Sequence, residues 1–515
     1  MDQMIDDSDA EWGPFGRPLF DDPKSRALSR VGVLDVGSNS IRLVVFDGAA
    51  RSPAYFYNEK IMAGLGAGMA ETGRLNPEGK ARAMSAIRRF QLLARTMGIS
   101  PLSAVATAAV RDAEDGPEFR EALKAETGLD LYIIDGEEEA RLSAQGVLLG
   151  WPGSYGLVCD IGGSSMEMAE LRDGKVGHCV TTDLGPQRLE RIKGGKKGLK
   201  AHLKAEVGQL AKTMGPQPDR LFLVGGSWRA IARIDMDRRA YPLRVLHEYR
   251  MTRKNVLATV EMIETCDDLE ALRQRCGLSE SRMALVPLAA QVLREMVRKF
   301  KPHDIAISSY GIREGLLYEQ MPDALRDRDP LIEACRFAEA KDARMPGFGK
   351  KLYEFVSPIL KSRRKLDKRL IKAACLLHDV SWRAHPDYRH EVGFDEATRA
   401  NLGGMTHQDR VFLAVALYHR YKNSRSGARM ADLFALLDDD QLANAELLGK
   451  AMRFGAMLSV SNDERMGKMK YYPKKKQLAL HLETGTRDLF GEVAEARFNA
   501  MAAALGAEEV AVIGR

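Results

Sequence analysis

Residues 31–322 alternate between two hydrophobic patterns. Short apolar runs bounded by Gly, Ser and Asp are typical of buried strands. Between them lie segments with apolar residues every three or four positions, the period of an amphipathic helix. One such segment begins at Asn76-Pro77, an N-cap followed by a first-turn proline, and ends at Gly98. This alternation of strands and helices predicts an α/β fold.

The same pattern divides the chain into five parts. A tail rich in Pro, Gly and acidic residues covers 1–30, and two α/β halves follow over 31–141 and 142–322. After residue 322 the strand patterns stop, which predicts an all-helical domain over 323–463. Two short strand patterns and a helical one then predict a small α+β domain over 464–515.

Two stretches of closely similar design carry the first functional signal. GLVCDIGGSSMEMAEL, which contains Asp160 and Ser165, repeats the earlier VGVLDVGSNSIRLVVF, where Asp35 and Ser40 take the same places. Each reads as a strand, a turn of small residues and a second strand, so a duplicated fold with two facing halves is predicted. Turns of consecutive small residues expose backbone N–H groups that bind anions, above all phosphate. The alternative is an ordinary hairpin whose glycines only permit positive φ.

Two further segments add weaker signals. LFLVGGSWRAI is a strand that breaks at Gly225-Gly226 and enters a helix, a third phosphate-type turn. GEEEARLSAQGVLLG starts a helix with three glutamates in its first turn, where the helix macrodipole favours negative charge. Carboxylates are common at helix starts for that reason alone. Because three glutamates lie together next to predicted phosphate-binding turns, one of them is a candidate functional group.

Composition limits the class of protein. Hydrophobic residues make up 45% and charged residues 29%, with a net charge of +6, which is ordinary for a soluble globular protein and does not call for nucleic acid. The six cysteines show no C-x-x-C pairing and are interpreted as reduced core thiols. The acidic start is unlike a signal peptide, and no run reaches membrane-spanning length. A cytoplasmic protein is expected.

The predicted helical domain contains His378-Asp379 on an apolar helix. This pair resembles the His-Asp motif of metal phosphohydrolases of the HD type. In those enzymes, two histidines and two aspartates hold a metal. Such a site needs an earlier histidine on a neighbouring helix, and the matching segment Met345–Lys351 has none. We therefore predict a helical scaffold in which His378 makes local hydrogen bonds.

Taken together, the motifs LDVGSNSIRLVV, ATAAVR, GEEEARL, DIGGSSME, VGGS and YGIREGLL resemble the exopolyphosphatase / guanosine pentaphosphate phosphohydrolase family. That family belongs to the actin, sugar-kinase and Hsp70 superfamily of duplicated ribonuclease-H-like folds. Its long members also carry an HD-like helical domain and a small C-terminal domain, so the resemblance covers nearly the whole chain. It implies hydrolysis of the terminal phosphoanhydride of inorganic polyphosphate with Mg²⁺, and a homodimer. A monovalent cation such as K⁺ is a further candidate cofactor.

The resemblance also assigns roles to single residues. Glu139 matches the catalytic carboxylate, Arg111 a charge clamp, and Asp160 and Glu167 metal-associated acids. A carboxylate is needed because water is a poor nucleophile that must be oriented and deprotonated. The residues that match the phosphate-binding turns are Ser38, Asn39, Ser40, Gly162, Gly163, Ser164, Ser165, Gly225, Gly226 and Ser227.

The chain departs from the family pattern in two places. Asp115 stands where the family often has Asn, which leaves the contact of this residue open. The second turn reads Gly-Gly-Ser-Ser-Met-Glu instead of Gly-Gly-Gly-Ser-Thr-Glu, so Ser164 narrows the turn and Met166 lacks a hydroxyl. Neither change removes the implied chemistry.

Three other functions remain open from the sequence. Guanosine pentaphosphate is an alternative substrate, because the sequence offers no clear nucleoside pocket to decide. A kinase of the same superfamily would keep an adenosine-binding loop. It would not place Glu139 at the start of its helix to activate a water molecule. A non-catalytic polyphosphate-binding regulator would gain nothing from Glu139 beside a polyanion.

Basic runs lie in three of the predicted domains, over Arg188–Lys204, Lys361–Arg369 and Lys468–Lys476. Solvated surface charge is one interpretation. The other is a channel that guides a long polyanion, whose binding would release counterions and depend on salt. The residues predicted to line it are Arg188, Lys193, Lys196, Lys197, Arg363, Arg364, Lys474, Lys475 and Lys476.

Overall fold

The computed structural model describes residues 27–99, 102–216, 219–361, 363, 366–459 and 466–514. The chain divides into two compact units between Arg328 and Asp329. The predicted tail lies outside the described residues except for Ala27–Arg30, which belong to the first strand.

The first sheet has the order β3-β2-β1-β4-β5. β1, β2 and β3 are antiparallel neighbours, whereas β4 and β5 continue the sheet in parallel with β1. The bounds are β1 Ala27–Val36, β2 Ile41–Ala49, β3 Ser52–Ile61, β4 Leu102–Ala106 and β5 Tyr132–Ile133.

The second sheet repeats this arrangement and adds one edge strand. Its order is β8-β7-β6-β9-β11-β10, with β6, β7 and β8 antiparallel and β9 and β11 parallel to β6. The bounds are β6 Gly156–Ile161, β7 Met166–Arg172, β8 Lys175–Thr182, β9 Arg220–Val224, β10 Arg250–Met251 and β11 Asp304–Ile307. The predicted duplication into two similar halves is confirmed by this repeated strand order.

Helices cover both sheets of the first unit. The helices predicted from Pro77 and Gly136 both begin at those residues. The bounds are α1 Met69–Thr72, α2 Pro77–Thr96, α3 Ala108–Asp112, α4 Gly116–Thr127, α5 Gly136–Gly150, α6 Pro186–Leu189, α7 Gly195–Met214, α8 Gly226–Arg238, α9 Arg253–Glu264, α10 Leu269–Arg275, α11 Glu280–Met283, α12 Val286–Phe300, α13 Ile312–Glu319 and α14 Asp323–Arg326.

The two halves meet where α5 crosses α13. A Cβ atom on Gly146 would lie 2.2 Å from the carbonyl oxygen of Gly311, and one on Gly315 would lie 1.8 Å from that of Leu142. Glycine at both positions therefore lets the helices approach closely. The crossing fixes the two sheets relative to each other and leaves a cleft between their strand ends.

The second unit, Asp329–Arg515, packs helices and a three-stranded sheet around one hydrophobic core within its described residues. Phe490 and Phe498 of the predicted small domain share this core with Leu352 and Leu413 of the helical part. The strand β14 was not foreseen from the sequence. The bounds are α15 Pro330–Asp342, α16 Phe348–Leu360, α17 Lys368–Leu377, α18 Arg389–Arg399, α19 His407–His419, α20 Ala431–Phe434, α21 Asp439–Leu458, β12 Lys468–Tyr472, β13 Gln477–His481, α22 Glu492–Leu505 and β14 Glu509–Ile513.

Among the described helices of both units, none combines the length and the apolar character needed to cross a membrane.

Candidate functional site

Three turns of small residues converge on one cleft of about 230 Å³ between the two halves of the first unit. The first two turns have the same geometry: the N–H of Gly37 donates to the carbonyl of Ser40 at 3.0 Å, and that of Gly162 to the carbonyl of Ser165 at 3.0 Å. The predicted residues that line the cleft are Ser38, Asn39, Ser40, Glu139, Asp160, Gly162, Gly163, Ser164, Ser165, Gly225 and Gly226.

The second turn is held from behind by the chain before α6. A Cβ atom on Gly185 would lie 2.1 Å from the carbonyl carbon of Ser164 and 2.4 Å from the backbone nitrogen of Ser165. The N–H of Gln187 also donates to the carbonyl of Gly163 at 2.9 Å. The position of this turn is therefore set by close backbone packing, which only glycine at 185 permits.

Of the three glutamates at the start of α5, one faces the cleft. Glu137 is exposed, and Glu138 accepts hydrogen bonds from Arg141 at 2.7 and 2.8 Å. Glu139 is 8% exposed and lines the cleft. Asp135 caps the helix by accepting the N–H of Glu138 at 2.8 Å, which fixes the rotation of the first turn. The local structure thus selects Glu139 as the candidate catalytic group.

Carboxylates are concentrated around Glu139. Burial, together with the negative charges of Glu167 and Asp160, raises the pKa of Glu139 well above its ordinary value. Burial likewise raises the pKa of Glu167 to about 8. Asp35 and Asp160, at equivalent places in the two halves, also have pKa values raised mainly by burial. Such a group of raised pKa values in a cleft is typical of a functional site.

The carboxylate oxygens around Glu139 are ligands that suit a hard cation. Glu139 Oε2 and Glu167 Oε2 are buried without a hydrogen-bond partner, while Asp160 Oδ2 accepts a hydrogen bond from Ser143. Within the described ranges, no three His, Cys, Asp or Glu side chains are grouped so as to hold a metal alone. Mg²⁺ is commonly held by one or two carboxylates together with substrate phosphates and water, so the residues present fit that mode.

Two predicted residues lie outside the cleft lining but close to it. Glu167 is 1% exposed and accepts a hydrogen bond from the Thr181 hydroxyl at 3.2 Å. Arg111 Nη1 lies 3.7 Å from Glu139 Oε2 and donates to the carbonyl of Ile134 at 3.1 Å. Arg111 therefore sits beside the candidate catalytic carboxylate as a positive charge.

Other residues singled out from the sequence serve the fold. Ser227 is fully buried under the third turn and does not line the cleft. Asp115 accepts the N–H of Leu75 at 2.8 Å and pairs with Lys80 at 2.6 Å, so it anchors the loop before α2. Met166 is fully buried in the core of the second half, whereas Ser164 lines the cleft.

Five basic residues that the sequence analysis did not assign also line the cleft. Arg282 packs against the third turn, because a Cβ atom on Gly226 would lie 2.4 Å from its guanidinium carbon. Arg313 Nε lies 3.9 Å from Asp35 Oδ2, and Arg229 Nη1 lies 3.4 Å from the carbonyl of Ser309. The five are Arg42, Lys60, Arg229, Arg282 and Arg313.

These cations repel one another within the cleft. Burial, followed by the charges of Arg313 and Arg229, lowers the pKa of Arg42 to about 10. In the described part of the chain, Arg282 has no carboxylate within ion-pair distance, and burial lowers its pKa. The cleft therefore has room and charge for a polyanion. The signals in the sequence were the arginines inside the quoted segments LDVGSNSIRLVV, LFLVGGSWRAI and YGIREGLL.

The residues of the predicted channel have different surroundings, and the channel stays a prediction. In the first unit, Lys193, Lys196 and Lys197 are exposed, whereas Arg188 pairs with Asp183 and, at 3.4 Å, with Asp112.

In the second unit, Lys474 and Lys475 are exposed and Lys476 pairs with Glu508. Arg363 donates to the carbonyl of Leu505 at the end of α22 at 2.9 Å. Arg364 lies outside the described residues.

His378 makes a local contact as predicted, and Asp379 binds a residue from the preceding loop between α15 and α16. His378 Nδ1 lies 2.8 Å from the carbonyl oxygen of Cys375, and burial lowers the pKa of His378 to about 4. Both oxygens of Asp379 bind Arg344, at 2.6 and 2.8 Å. Both carboxylate oxygens of Asp379 are thus engaged by an arginine.

The raised pKa of Glu167 gives a prediction about stability. A carboxyl whose pKa is higher in the folded state contributes stability below its unfolded pKa and loses it as the pH rises through the folded value. Glu167→Gln should therefore raise the melting temperature of the metal-free protein at about pH 9. The increase should be roughly 2–4 °C for each kcal/mol by which the free energy of unfolding rises. At about pH 5 the increase should be much smaller. Thermal unfolding across this pH range in EDTA measures the difference.

The matched control is Glu118→Gln, which removes the same charge from a side chain that is 77% exposed on α4. Its effect on the melting temperature should be small at both ends of the range. A Glu167→Gln difference that does not grow with pH would contradict the raised pKa.

Comparison with known proteins adds to this geometry. A model described as the Ppx/GppA phosphatase family matches residues 44–324, and one described as the C-terminal region of exopolyphosphatase matches residues 343–513. Exopolyphosphatase 1 of Mycobacterium tuberculosis is 28% identical over 59% of this chain and 92% of its own length. Exopolyphosphatase 2 of the same organism is 26% identical over 56% of this chain and 98% of its own length.

Solved structures show the same fold. An exopolyphosphatase from Cytophaga hutchinsonii matches with a TM-score of 0.52 and 22% identity, over 57% of this chain and 98% of its own. The Ppx/GppA family member of Aquifex aeolicus matches with a TM-score of 0.51 and 23% identity, over 56% of this chain and 97% of its own.

Proposed function

Because this chain belongs to the Ppx/GppA phosphatase family, we propose that it is an exopolyphosphatase that hydrolyses the terminal phosphoanhydride bond of inorganic polyphosphate. The observation that carries the proposal is the cleft itself. It combines three backbone turns and five basic side chains with the buried carboxylate of Glu139, which lies beside Asp35 and Asp160. A chain of phosphates needs the first two features and its hydrolysis needs the third.

Glu139 is the proposed general base. It orients a water molecule in line with the terminal phosphorus atom and accepts a proton from that water as the new P–O bond forms. The bridging P–O bond breaks, and the products are orthophosphate and a chain one phosphate shorter. The raised pKa of Glu139 makes its ionised form a stronger base, while Arg111 at 3.7 Å favours that ionised form.

The turns and the arginines stabilise the negative charge that shifts within the transferring phosphoryl group. The N–H groups of the turns are fixed before substrate binds, so they need no reorganisation during the reaction. Arg282 beside the third turn and Arg313 near Asp35 would add charge-assisted hydrogen bonds. Asp160 and Glu167 would hold Mg²⁺, which would neutralise phosphate oxygens of the substrate.

The second unit is proposed to be an HD-like scaffold without a metal, because Arg344 binds Asp379. A homodimer and activation by K⁺ are further proposals that rest on the family resemblance. Size-exclusion chromatography with light scattering tests the first of these, and phosphate release with and without K⁺ tests the second.

The proposed substrate is tested by phosphate release. One preparation of the full chain with Mg²⁺ is assayed on long-chain polyphosphate and on guanosine pentaphosphate at equal phosphate concentration. The proposal expects a higher kcat/KM for polyphosphate, because the described residues that line the cleft include five cations but no aromatic side chain on which a base could stack. Preferential hydrolysis of guanosine pentaphosphate would contradict the proposed substrate but not the proposed mechanism. If neither compound released phosphate, the proposed activity would be rejected.

A further inference from the structure

A buried histidine close to the cleft has no role in the hydrolysis described above. His247 lies in the segment between α8 and β10, is 4% exposed and does not itself line the cleft. Its contacts nevertheless lead to the cleft wall through Ser309, which does line it. These contacts give His247 a function that its burial alone does not explain.

The imidazole ring of His247 lies between two aromatic rings. Its centroid is 4.4 Å from that of Trp151, which directly follows α5, and 4.5 Å from that of Tyr310, which precedes α13. A Cβ atom on Gly150 would lie 3.0 Å from His247 Cε1, so glycine at that position lets the ring lie against the end of α5. Packing therefore fixes the plane of the ring.

The backbone next to His247 is strained. Glu248 has φ 66°, a left-handed value that residues other than glycine rarely adopt. Its N–H donates to the carbonyl of Ile307 at 3.0 Å, and its carboxylate accepts hydrogen bonds from Trp151 and Arg250. Such strain persists only where the surrounding structure over-determines it, and it is concentrated at functional sites. The strained segment holds His247 against the end of β11.

A polar contact joins His247 to the cleft wall. Its Nδ1 atom accepts the N–H of Ser309 at 3.2 Å. A backbone N–H can only donate, so Nδ1 carries a lone pair and the ring proton is on Nε2. The next N–H along the chain, that of Tyr310, donates to the Ser308 hydroxyl at 3.0 Å. The backbone on both sides of Ser309 is thus fixed from behind the cleft.

Ser309 in turn contacts one of the cations of the cleft. Arg229 Nη1 donates to the carbonyl of Ser309 at 3.4 Å, and both residues line the cleft. Burial, followed by the charge of Arg313, lowers the pKa of Arg229, so neighbouring positive charge repels this guanidinium. The Ser309 carbonyl opposes that repulsion and gives the side chain a defined direction.

We propose that His247 is a positioning residue for polyphosphate hydrolysis and acts through Ser309 on Arg229. The inference rests on the proposed function, in which the cations of the cleft bind phosphate groups of the substrate. An Arg–phosphate contact depends on the direction of the guanidinium plane, because its N–H donors form a fixed fork. Without the lone pair at Nδ1, the Ser309 N–H would lose its acceptor, and Ser309 and Arg229 would shift.

Two variants separate the hydrogen bond from the packing of the ring. His247→Phe keeps an aromatic ring beside Trp151 and Tyr310 but cannot accept the Ser309 N–H. His247→Asn loses the ring but places an amide oxygen close to the position of Nδ1. We expect kcat/KM for polyphosphate to fall by roughly 10- to 10²-fold in His247→Phe, because a displacement of about 1 Å has effects of that size. His247→Asn should retain much more activity.

The control is His178→Phe, which makes the same change at an exposed position of β8 outside the cleft. Its kcat/KM should equal that of the wild type. If His247→Phe were more active than His247→Asn, ring packing would be the role of this residue and the proposal would be overturned. His247→Leu, which also lacks an acceptor, replaces His247→Phe if thermal unfolding shows that the latter does not fold.

A double-mutant cycle tests the path through Arg229. The loss of kcat/KM caused by His247→Phe should be much smaller in an Arg229→Met background than in the wild type, since the two changes would remove the same contact. In an Arg111→Met background the loss should be as large as in the wild type, because Arg111 contacts Glu139 and the carbonyl of Ile134. Steady-state phosphate release from polyphosphate measures each value.

Calorimetric titration with tripolyphosphate in EDTA, where no turnover is required, distinguishes this inference from the proposed function. His247→Phe should bind tripolyphosphate at least about fivefold more weakly than His178→Phe, as expected for one impaired hydrogen bond to a charged group. That difference without phosphate release by the wild type would refute the proposed function and support the positioning of Arg229. Equal affinity and equal kcat/KM in the two variants would overturn the inference, as would additive effects of His247→Phe and Arg229→Met.

Discussion

Glu139→Gln is expected to lower the turnover of polyphosphate by roughly 10²–10⁴-fold, the usual effect of losing a positioned general base. Glutamine keeps the shape of the side chain but cannot accept the proton of the attacking water. The fold should remain intact, because the raised pKa of Glu139 already favours an uncharged group at this buried position. Steady-state phosphate release and thermal unfolding on the same preparations measure both effects.

Glu137→Gln is the matched control for this variant. Glu137 lies two residues earlier in the first turn of the same helix but is exposed, so its replacement should leave turnover close to that of the wild type. Near-normal turnover of a folded Glu139→Gln protein would refute the assignment of the base. A similar loss in both variants would point to the helix terminus as a whole rather than to one carboxylate.

Gly185→Ala is expected to lower kcat/KM by about 10²-fold, because displacement of positioned groups by about 1 Å has effects of that size. The added Cβ atom would lie 2.1 Å from the carbonyl carbon of Ser164, a backbone atom that cannot yield as a flexible side chain would. The second turn, with its N–H donors, must move instead. Gly185 has φ −68°, so alanine itself is not strained there.

Gly208→Ala provides the comparison for the same chemical change. Gly208 lies inside α7, and no atom would come within 4 Å of its added Cβ. Activity should be unchanged and stability should rise by up to about 1 kcal/mol, since alanine favours helix over glycine. Full activity of Gly185→Ala would show that the second turn does not position substrate.

Several parts of the catalytic cleft could be predicted from the sequence because local spacing sets them. The two Asp-x-Gly turns were recognised because the same small residues recur at the same intervals, and their hydrogen bonds have the same length of 3.0 Å. The start of α5 followed from its acidic first turn. Outside the cleft, the absence of a histidine in Met345–Lys351 led to the prediction that His378 makes local hydrogen bonds.

Other features depend on contacts between distant segments. Arg42, Arg229, Arg282 and Arg313 lie on four different elements, and each alone is an ordinary arginine in a strand or helix. Only the crossing of α5 and α13 brings the two halves close enough for these charges to share one cleft. Similarly, the C-terminal strands and helix read as a separate domain, but their apolar side chains complete the core of the helices before them.

The sequence by itself determined the repeated α/β halves, the three turns of small residues and the group of glutamates, because neighbouring residues set strand period, turn chemistry and helix capping. The tertiary structure alone decided that Glu139, and not Glu137 or Glu138, faces the cleft, that Ser227 lies beneath the third turn, and that Gly185 supports the second. The physical reason is that burial and charge depend on which segments pack together, and that packing joins residues far apart in the chain.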